Sequence, residues 1–73
     1  MHGVKRAAKY IPRFNPDVEV LEIERRKDGT WVAVYRWHGK ITTSLMREDS
    51  NGCLYFNAAK QQILYQDLRK VAS

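Results

Sequence analysis

Two glycine-containing turns enclose a run of aromatic and β-branched residues in the middle of the chain. Asp28-Gly29 and His38-Gly39 each match the two-residue loop of a tight β-hairpin, in which both loop residues need positive φ. Residues 30–37 between them are rich in tryptophan, tyrosine and valine, which is typical of a strand. Residues 18–27 and 40–47 have a similar β character. The central part of the chain is therefore predicted to be a three-stranded antiparallel meander.

The predicted turns also set the register, since paired residues lie at equal distances from each turn. Ile23 is predicted to pair with Val34, and Val34 with Thr43. Side chains alternate between the two faces of a strand, so the sheet has two different faces. The aliphatic face is expected to carry Leu21, Ile23, Val32, Val34, Ile41, Thr43 and Leu45. The aromatic face is expected to carry Trp31, Tyr35 and Trp37 among polar and charged residues that include Glu22, Glu24, Arg26, Lys40, Thr42 and Ser44.

The C-terminal third of the chain is predicted to end in a helix. Residues 48–52 form a loop, and residues 53–56 are either a fourth strand or the lead-in to the helix. Asn57 is a candidate N-cap. The apolar residues that follow recur at helical spacing, at Ile63, Leu64, Leu68 and Val71. The predicted fold class is α+β, with a three-stranded or four-stranded antiparallel sheet packed through its aliphatic face on one C-terminal helix.

The first sixteen residues differ from the rest because they carry only positive charge. Lys5, Arg6, Lys9 and Arg13 lie there without any acidic residue. Pro12 and Pro16 favour an irregular backbone over residues 12–16. We therefore predict a basic N-terminal arm over residues 1–16 and a single β-β-β-α domain over residues 17–73.

Composition excludes several classes of protein. A chain of 73 residues with one cysteine, Cys53, has no internal disulfide, and its two histidines match no zinc-ligand spacing. No apolar run reaches the roughly 18 residues of a membrane span. The lone thiol favours a reducing compartment, so a cytoplasmic location is expected. No catalytic or phosphate-loop motif is present, so we expect neither enzyme activity nor a cofactor.

The net charge of +5 and the predicted aromatic face together favour nucleic acid as a partner. Aromatic rings stack on bases, and cations neutralise phosphates. The candidate contact residues are Lys5, Arg6, Lys9, Arg13, Arg25, Arg26, Lys27, Trp31, Tyr35, Trp37, Lys40, Thr42 and Ser44. Alternatively, the rings form a second small core, covered by Tyr10, Ile11 and Phe14 or by a second subunit. Glu22 and Glu24 on the same predicted face would repel phosphate and count against nucleic acid.

The segment that runs from Arg26-Lys27-Asp28-Gly29-Thr30-Trp31 to His38-Gly39-Lys40 resembles the hairpin of arm-type DNA-binding domains of phage and transposon tyrosine integrases. It is also similar to the DNA-binding domain of plant ethylene-response factors. In both families a three-stranded sheet, backed by a C-terminal helix, enters the major groove. The resemblance covers about residues 19–47 and implies DNA contacts by Arg26, Trp31, Tyr35, Trp37, Lys40, Thr42 and Ser44. Both families carry more basic residues on the sheet than this chain does.

The predicted function is therefore that of a small DNA-binding protein, with DNA favoured over RNA, that acts by occupancy and not by catalysis. A phage or mobile-element setting follows from the resemblance. The alternative is a protein-interaction module, either a homodimer or a small phage-type inhibitor of a host protein, that uses the same aromatic face.

Overall fold

The protein is built from two antiparallel sheets. The computed structural model describes residues 7–71, and no α-helix occurs among them. The elements in chain order are β1 (Tyr10–Pro12), β2 (Glu19–Arg25), β3 (Trp31–Trp37), β4 (Lys40–Leu45), β5 (Arg47–Glu48), β6 (Leu54–Ala58), β7 (Gln61–Leu64), a 3₁₀ helix (Tyr65–Asp67) and β8 (Leu68–Lys70). One sheet has the order β4-β3-β2-β1-β8, and the other has the order β5-β6-β7. The α+β prediction is therefore wrong, because the predicted C-terminal helix is absent and strands take its place.

The region predicted as a helix folds instead as a β-hairpin, a 3₁₀ turn and a short strand. Phe56 and Ala58 alternate with outward-facing residues on β6, as the period of a strand requires. Ala59 and Lys60 then reverse the chain, each in the left-handed region with φ of 53° and 63°. Neither residue is a glycine or asparagine, so the sequence carries no signal for this turn. The helical spacing of Ile63 and Leu68 arises because the 3₁₀ turn separates two strands that face the same core.

The central meander is present, and its second turn was correctly predicted. His38 and Gly39 have φ of 52° and 75°, and Trp37 pairs with Lys40 across them. The β3–β4 register, with Val34 opposite Thr43, is confirmed.

The first hairpin has a longer loop than predicted. Arg26 donates its backbone N–H to the Thr30 carbonyl over 2.7 Å, which leaves three loop residues, and Gly29 occupies the last of them with a φ of +91°. This arrangement is the common three-residue loop with a glycine bulge. Ile23 consequently pairs with Ala33 and not with Val34. This shift by one residue moves the side chains of residues 22–25 to the other face relative to β3.

A β-bulge in β2 offsets this shift for the strand residues that precede it. Leu21 and Glu22 together lie opposite Val34, so Val20 and Ile23 share one face although three positions separate them. Leu21 is 1% exposed but lies outside the main core cluster.

The core lies on the aromatic face of the meander. The β5-β6-β7 sheet covers this face and contributes the fully buried Phe56, whose ring centroid is 6.0 Å from that of Tyr35. The predicted aliphatic face is the outer one, where Ile41 and Leu45 are half exposed. The prediction that a helix covers the aliphatic face and leaves the rings exposed is therefore wrong, although Val32 on that face is only 4% exposed and Trp31 on the other face is 37% exposed.

Residues 10–12 of the predicted basic arm form an internal strand. β1 lies between β2 and β8, with Tyr10 opposite both Val20 and Lys70. Residues 13–17 form turns, as the two prolines predict. Val71 donates its backbone N–H to the Lys9 carbonyl over 2.9 Å, so the first and last described segments are joined.

Replacing Lys60 with glycine is expected to stabilise the protein by about 0.5–1 kcal/mol, because glycine removes the cost of a left-handed lysine. In a helix interior the same change costs about 1 kcal/mol, so the sign of the effect distinguishes the hairpin from the predicted helix. Urea unfolding followed by circular dichroism measures the difference. Gly39→Ala is the matched control in the other tight turn and is expected to destabilise by about 1 kcal/mol. A destabilised Lys60→Gly variant would contradict the hairpin.

Candidate nucleic-acid interface

An open groove lined by aromatic side chains lies on the core side of the five-stranded sheet. Its volume is about 310 Å³, and its lining residues are Tyr10, Ile23, Trp31, Leu54 and Tyr65. Trp31 is 37% exposed and Tyr65 is 46% exposed, so these two rings are accessible to solvent. The groove thus combines three rings with two aliphatic side chains and has no charged residue in its lining.

The three rings come from distant parts of the sequence. Trp31 is the first residue of β3, next to the first hairpin loop, and Tyr10 begins β1. Tyr65 comes from the 3₁₀ turn between β7 and β8. Ile23 and Leu54 pack against the core cluster and connect the groove to it. The groove therefore depends on both sheets being assembled.

Positive charge lies at two borders of the groove. Arg25 is opposite Trp31 in the β2–β3 ladder, and Lys70 is opposite Tyr10 in the β1–β8 ladder. Residues directly opposite each other in an antiparallel ladder have side chains on the same face. Both cations are exposed.

A second, basic cleft adjoins Lys70. Its volume is about 280 Å³, and it is lined by Ile11, Pro12, Arg13, Pro16, Arg69, Lys70 and Val71. Within residues 7–71, the ion pairs of the structure involve other cations, so Arg13, Arg25, Arg69 and Lys70 are available to an anion. The cleft and the groove share no lining residue, but Tyr10 of the groove is the ladder partner of Lys70 of the cleft.

The acidic residues that counted against nucleic acid lie on the other face of the sheet. Glu22 is opposite Val34 and Glu24 is opposite Val32, so both carboxylates belong to the outer aliphatic face. The shorter loop assumed from the sequence had placed them beside Trp31 and Tyr35. Glu48 pairs with Leu54 in the β5–β6 ladder and brings one carboxylate to the groove side.

Two of the predicted aromatic contacts belong to the core. Tyr35 is 9% exposed and packs on Phe56. Trp37 is half-buried against the core cluster, and its ring centroid lies 4.3 Å from that of His38. Only Trp31 of the three predicted rings lines the groove. Tyr35 is thus part of a core, as the alternative predicted. The second sheet, through Phe56, covers it in place of the predicted N-terminal arm.

The predicted basic contacts are dispersed. Lys9 Nζ donates to both carboxylate oxygens of Glu22, at 3.0 and 2.9 Å, and is therefore engaged on the outer face. Arg26 and Lys27 are exposed in the first hairpin. Lys5 and Arg6 lie outside the described residues. On β4, Lys40 and Thr42 are exposed and Ser44 is half-buried. Of the predicted cations, the structure brings Arg25 to the groove and Arg13 to the adjoining cleft.

Local hydrogen bonds hold the first hairpin loop in place. Asp28 Oδ1 accepts from the Thr30 hydroxyl at 2.6 Å and from the Thr30 backbone N–H at 3.0 Å. These bonds favour the charged carboxylate and lower the pKa of Asp28 below its usual value. Arg36 on the outer face donates to Glu19 Oε1 at 2.8 Å, and this bond raises the pKa of Arg36. The loop that precedes Trp31 is thus a preorganised support for the groove.

Sequence reasoning missed the residues that complete the site. Tyr65, Arg69 and Lys70 lay in the predicted helix and were not among the predicted contact residues. Tyr10 was considered only as a cover for the aromatic face. The further strand considered over residues 53–56 is present as β6, and the alternation of Leu54, Phe56 and Ala58 was the signal that it continues past residue 56.

No group of three or more histidine, cysteine, aspartate or glutamate side chains is arranged to hold a metal ion within residues 7–71. In the same part of the chain, no helix has the length and apolar character needed to cross a membrane. Comparison of the chain with protein-family models, curated proteins and solved structures finds no match.

Proposed function

We propose that this protein binds nucleic acid, with DNA favoured over RNA, and acts by occupancy without catalysis. The observation that carries the proposal is the pairing of Tyr10, which lines the aromatic groove, with Lys70, which lines the basic cleft. Aromatic rings with cations on the neighbouring strands suit a ligand that presents both bases and phosphates.

The charge distribution supports nucleic acid over a protein partner. Arg25 and Lys70 border the groove, and Arg13 and Arg69 extend the positive surface into the cleft. The competing idea, a protein-interaction module or homodimer, relied on Trp31, Tyr35 and Trp37 as one large exposed apolar surface. Tyr35 is buried and Trp37 is half-buried, so little of that surface is available.

If lysine and arginine side chains bind phosphates, the affinity for DNA should depend on salt concentration in a predictable way. Each phosphate neutralised by a lysine or arginine releases a counterion, so the logarithm of the affinity falls linearly with the logarithm of salt concentration. Each contact contributes about 0.7–0.9 to the slope. Binding governed by an apolar protein interface responds much less to salt.

The proposal is tested by titrating labelled DNA at several salt concentrations with the wild-type chain and the double variant Arg69→Ala/Lys70→Ala. The variant is expected to bind at least about tenfold more weakly at low salt and to lose about 1.4–1.8 from the slope. Lys40→Ala/Lys60→Gly removes the same charge away from the cleft and is the matched control, expected to keep the wild-type slope. Salt-independent binding, or equal losses in the two double variants, would contradict the proposal.

We also propose a cytoplasmic location, in keeping with the single free thiol of Cys53. A phage or mobile-element origin for the chain stays a proposal that rests on the resemblance of residues 19–47 alone.

A further inference from the structure

We propose that the aromatic groove accepts an unpaired nucleobase, so that the protein binds single-stranded DNA in preference to duplex DNA. This inference rests on the proposed nucleic-acid function and specifies its ligand. It is carried by the composition of the groove, where Tyr10, Trp31 and Tyr65 present rings and Ile23 and Leu54 present aliphatic surface.

The groove is suited to the faces of bases and not to their edges. In a duplex the faces are stacked on neighbouring bases, and only the edges are presented in the two grooves. Base edges are recognised by arginine, lysine, asparagine, glutamine and carboxylate side chains, and the groove lining contains none of them. Aromatic rings stack on any unpaired base because every base has a π face.

The flanking charges fit the backbone of a strand that passes through the groove. Arg25 lies beside Trp31, and Lys70 lies beside Tyr10. A base inserted between the rings therefore has a cation available to the phosphates on either side. The basic cleft with Arg13 and Arg69 continues the positive surface beyond Lys70.

The integrase resemblance implies that the meander enters a major groove of DNA. Neither face of the meander is suited to that. The inner face of β3 is covered by the second sheet through Phe56. On the outer face, Lys9 and Arg36 are engaged by Glu22 and Glu19, and Glu24 adds a further carboxylate, so this face offers little positive charge to the phosphates of a duplex. The charge distribution thus favours the groove side, where Arg25 and Lys70 lie beside the rings.

The test compares three labelled ligands of equal length: oligothymidylate, its duplex with oligoadenylate, and an abasic strand with the same number of phosphates. Fluorescence anisotropy measures the affinities at one salt concentration, with the intact chain. We expect the unpaired strand to bind at least tenfold more tightly than either other ligand. The abasic strand separates stacking from charge, since it retains every phosphate and no base.

Two ring variants locate the contact. Trp31→Ala and Tyr65→Ala are each expected to weaken oligothymidylate binding by about 5- to 150-fold, while the abasic strand is bound as before. Trp31→Phe and Tyr65→Phe keep a ring and are the matched controls, expected within about threefold of wild type. Tyr65 is 46% exposed on a 3₁₀ turn, so its variant keeps the test valid if Trp31→Ala fails to fold.

The outcomes separate the inference from the function on which it rests. Duplex binding as tight as single-strand binding, with a normal salt slope, would overturn the single-strand preference and leave nucleic-acid binding intact. Equal affinity for the abasic strand, or no effect of the ring variants, would likewise overturn it. Failure of all three ligands to bind at low salt would overturn both.

Discussion

Replacing Phe56 with alanine is expected to leave much of the protein unfolded at 25 °C. The side chain is fully buried between the two sheets and packs on Tyr35. Truncating a buried phenylalanine costs about 3–5 kcal/mol, through lost burial and the cavity that remains. A core of this size supplies roughly 3–5 kcal/mol in total, so the loss is comparable to the whole stability.

Urea titration followed by circular dichroism measures the effect, with Phe14→Ala as the matched control. Phe14 is 76% exposed, so the same chemical change there is expected to alter the free energy of unfolding by less than about 0.5 kcal/mol. Phe56→Leu retains much of the volume and is expected to cost about 1 kcal/mol. Similar losses for Phe14→Ala and Phe56→Ala would contradict the packing of the second sheet on the aromatic face.

The second large effect is expected at Leu21, the residue at the bulge of β2. Leu21→Ala is expected to destabilise the protein by about 2–4 kcal/mol, because the side chain is 1% exposed. Leu45→Ala is chemically identical and lies on the outer face with 44% exposure, where it is expected to cost about 1 kcal/mol or less. The sequence-based register placed both leucines on one covered face and predicts equal losses.

Equilibrium unfolding of the two leucine variants under the same conditions decides between the registers. A difference of at least about 1 kcal/mol supports the bulge and the exposed outer face. Equal losses would mean that something covers Leu45 as fully as Leu21. An unchanged dependence of the unfolding free energy on denaturant is the control that both variants unfold from the same compact state.

Local signals predicted local structure well in this chain. His38-Gly39 has the residues that a two-residue hairpin needs, and the turn and the β3–β4 register follow from them. Asp28-Gly29 marked a turn correctly, but the same dipeptide also suits the last two positions of a three-residue loop. One extra loop residue then exchanged the faces of residues 22–25 of β2, which include Glu22 and Glu24, and the bulge offsets this shift for Glu19 and Val20.

The error after residue 57 has a different origin. Ala58, Ala59 and Lys60 are good or acceptable helix formers, and local preference favoured a helix. The fold instead needs a second layer over Tyr35 and Trp37, and burying these large rings outweighs the cost of two left-handed residues at Ala59 and Lys60. Such a choice depends on contacts between distant segments, which a local pattern does not contain.

The candidate site could be only partly predicted for the same reason. Trp31 and Arg25 were identified because both lie in the first hairpin, which the Asp28-Gly29 turn signal predicts. Tyr10 and Tyr65 join them through the β1–β8 pairing and the 3₁₀ turn, which bring together residues more than fifty positions apart in the sequence. That Tyr10 and Tyr65 line the groove follows only from the way the two sheets pack together.

The pairing of β1 with β8 places the first and last strands of the chain side by side in the larger sheet. Lys9 and Val71 are bonded neighbours, so a short engineered peptide could join residue 71 to residue 9 without crossing the molecule. The loop around Asp49 and Gly52 is exposed and connects two strands of the smaller sheet. A permuted chain opened in that loop retains every strand pair of the larger sheet, and it leaves the corner beside the basic cleft without chain ends.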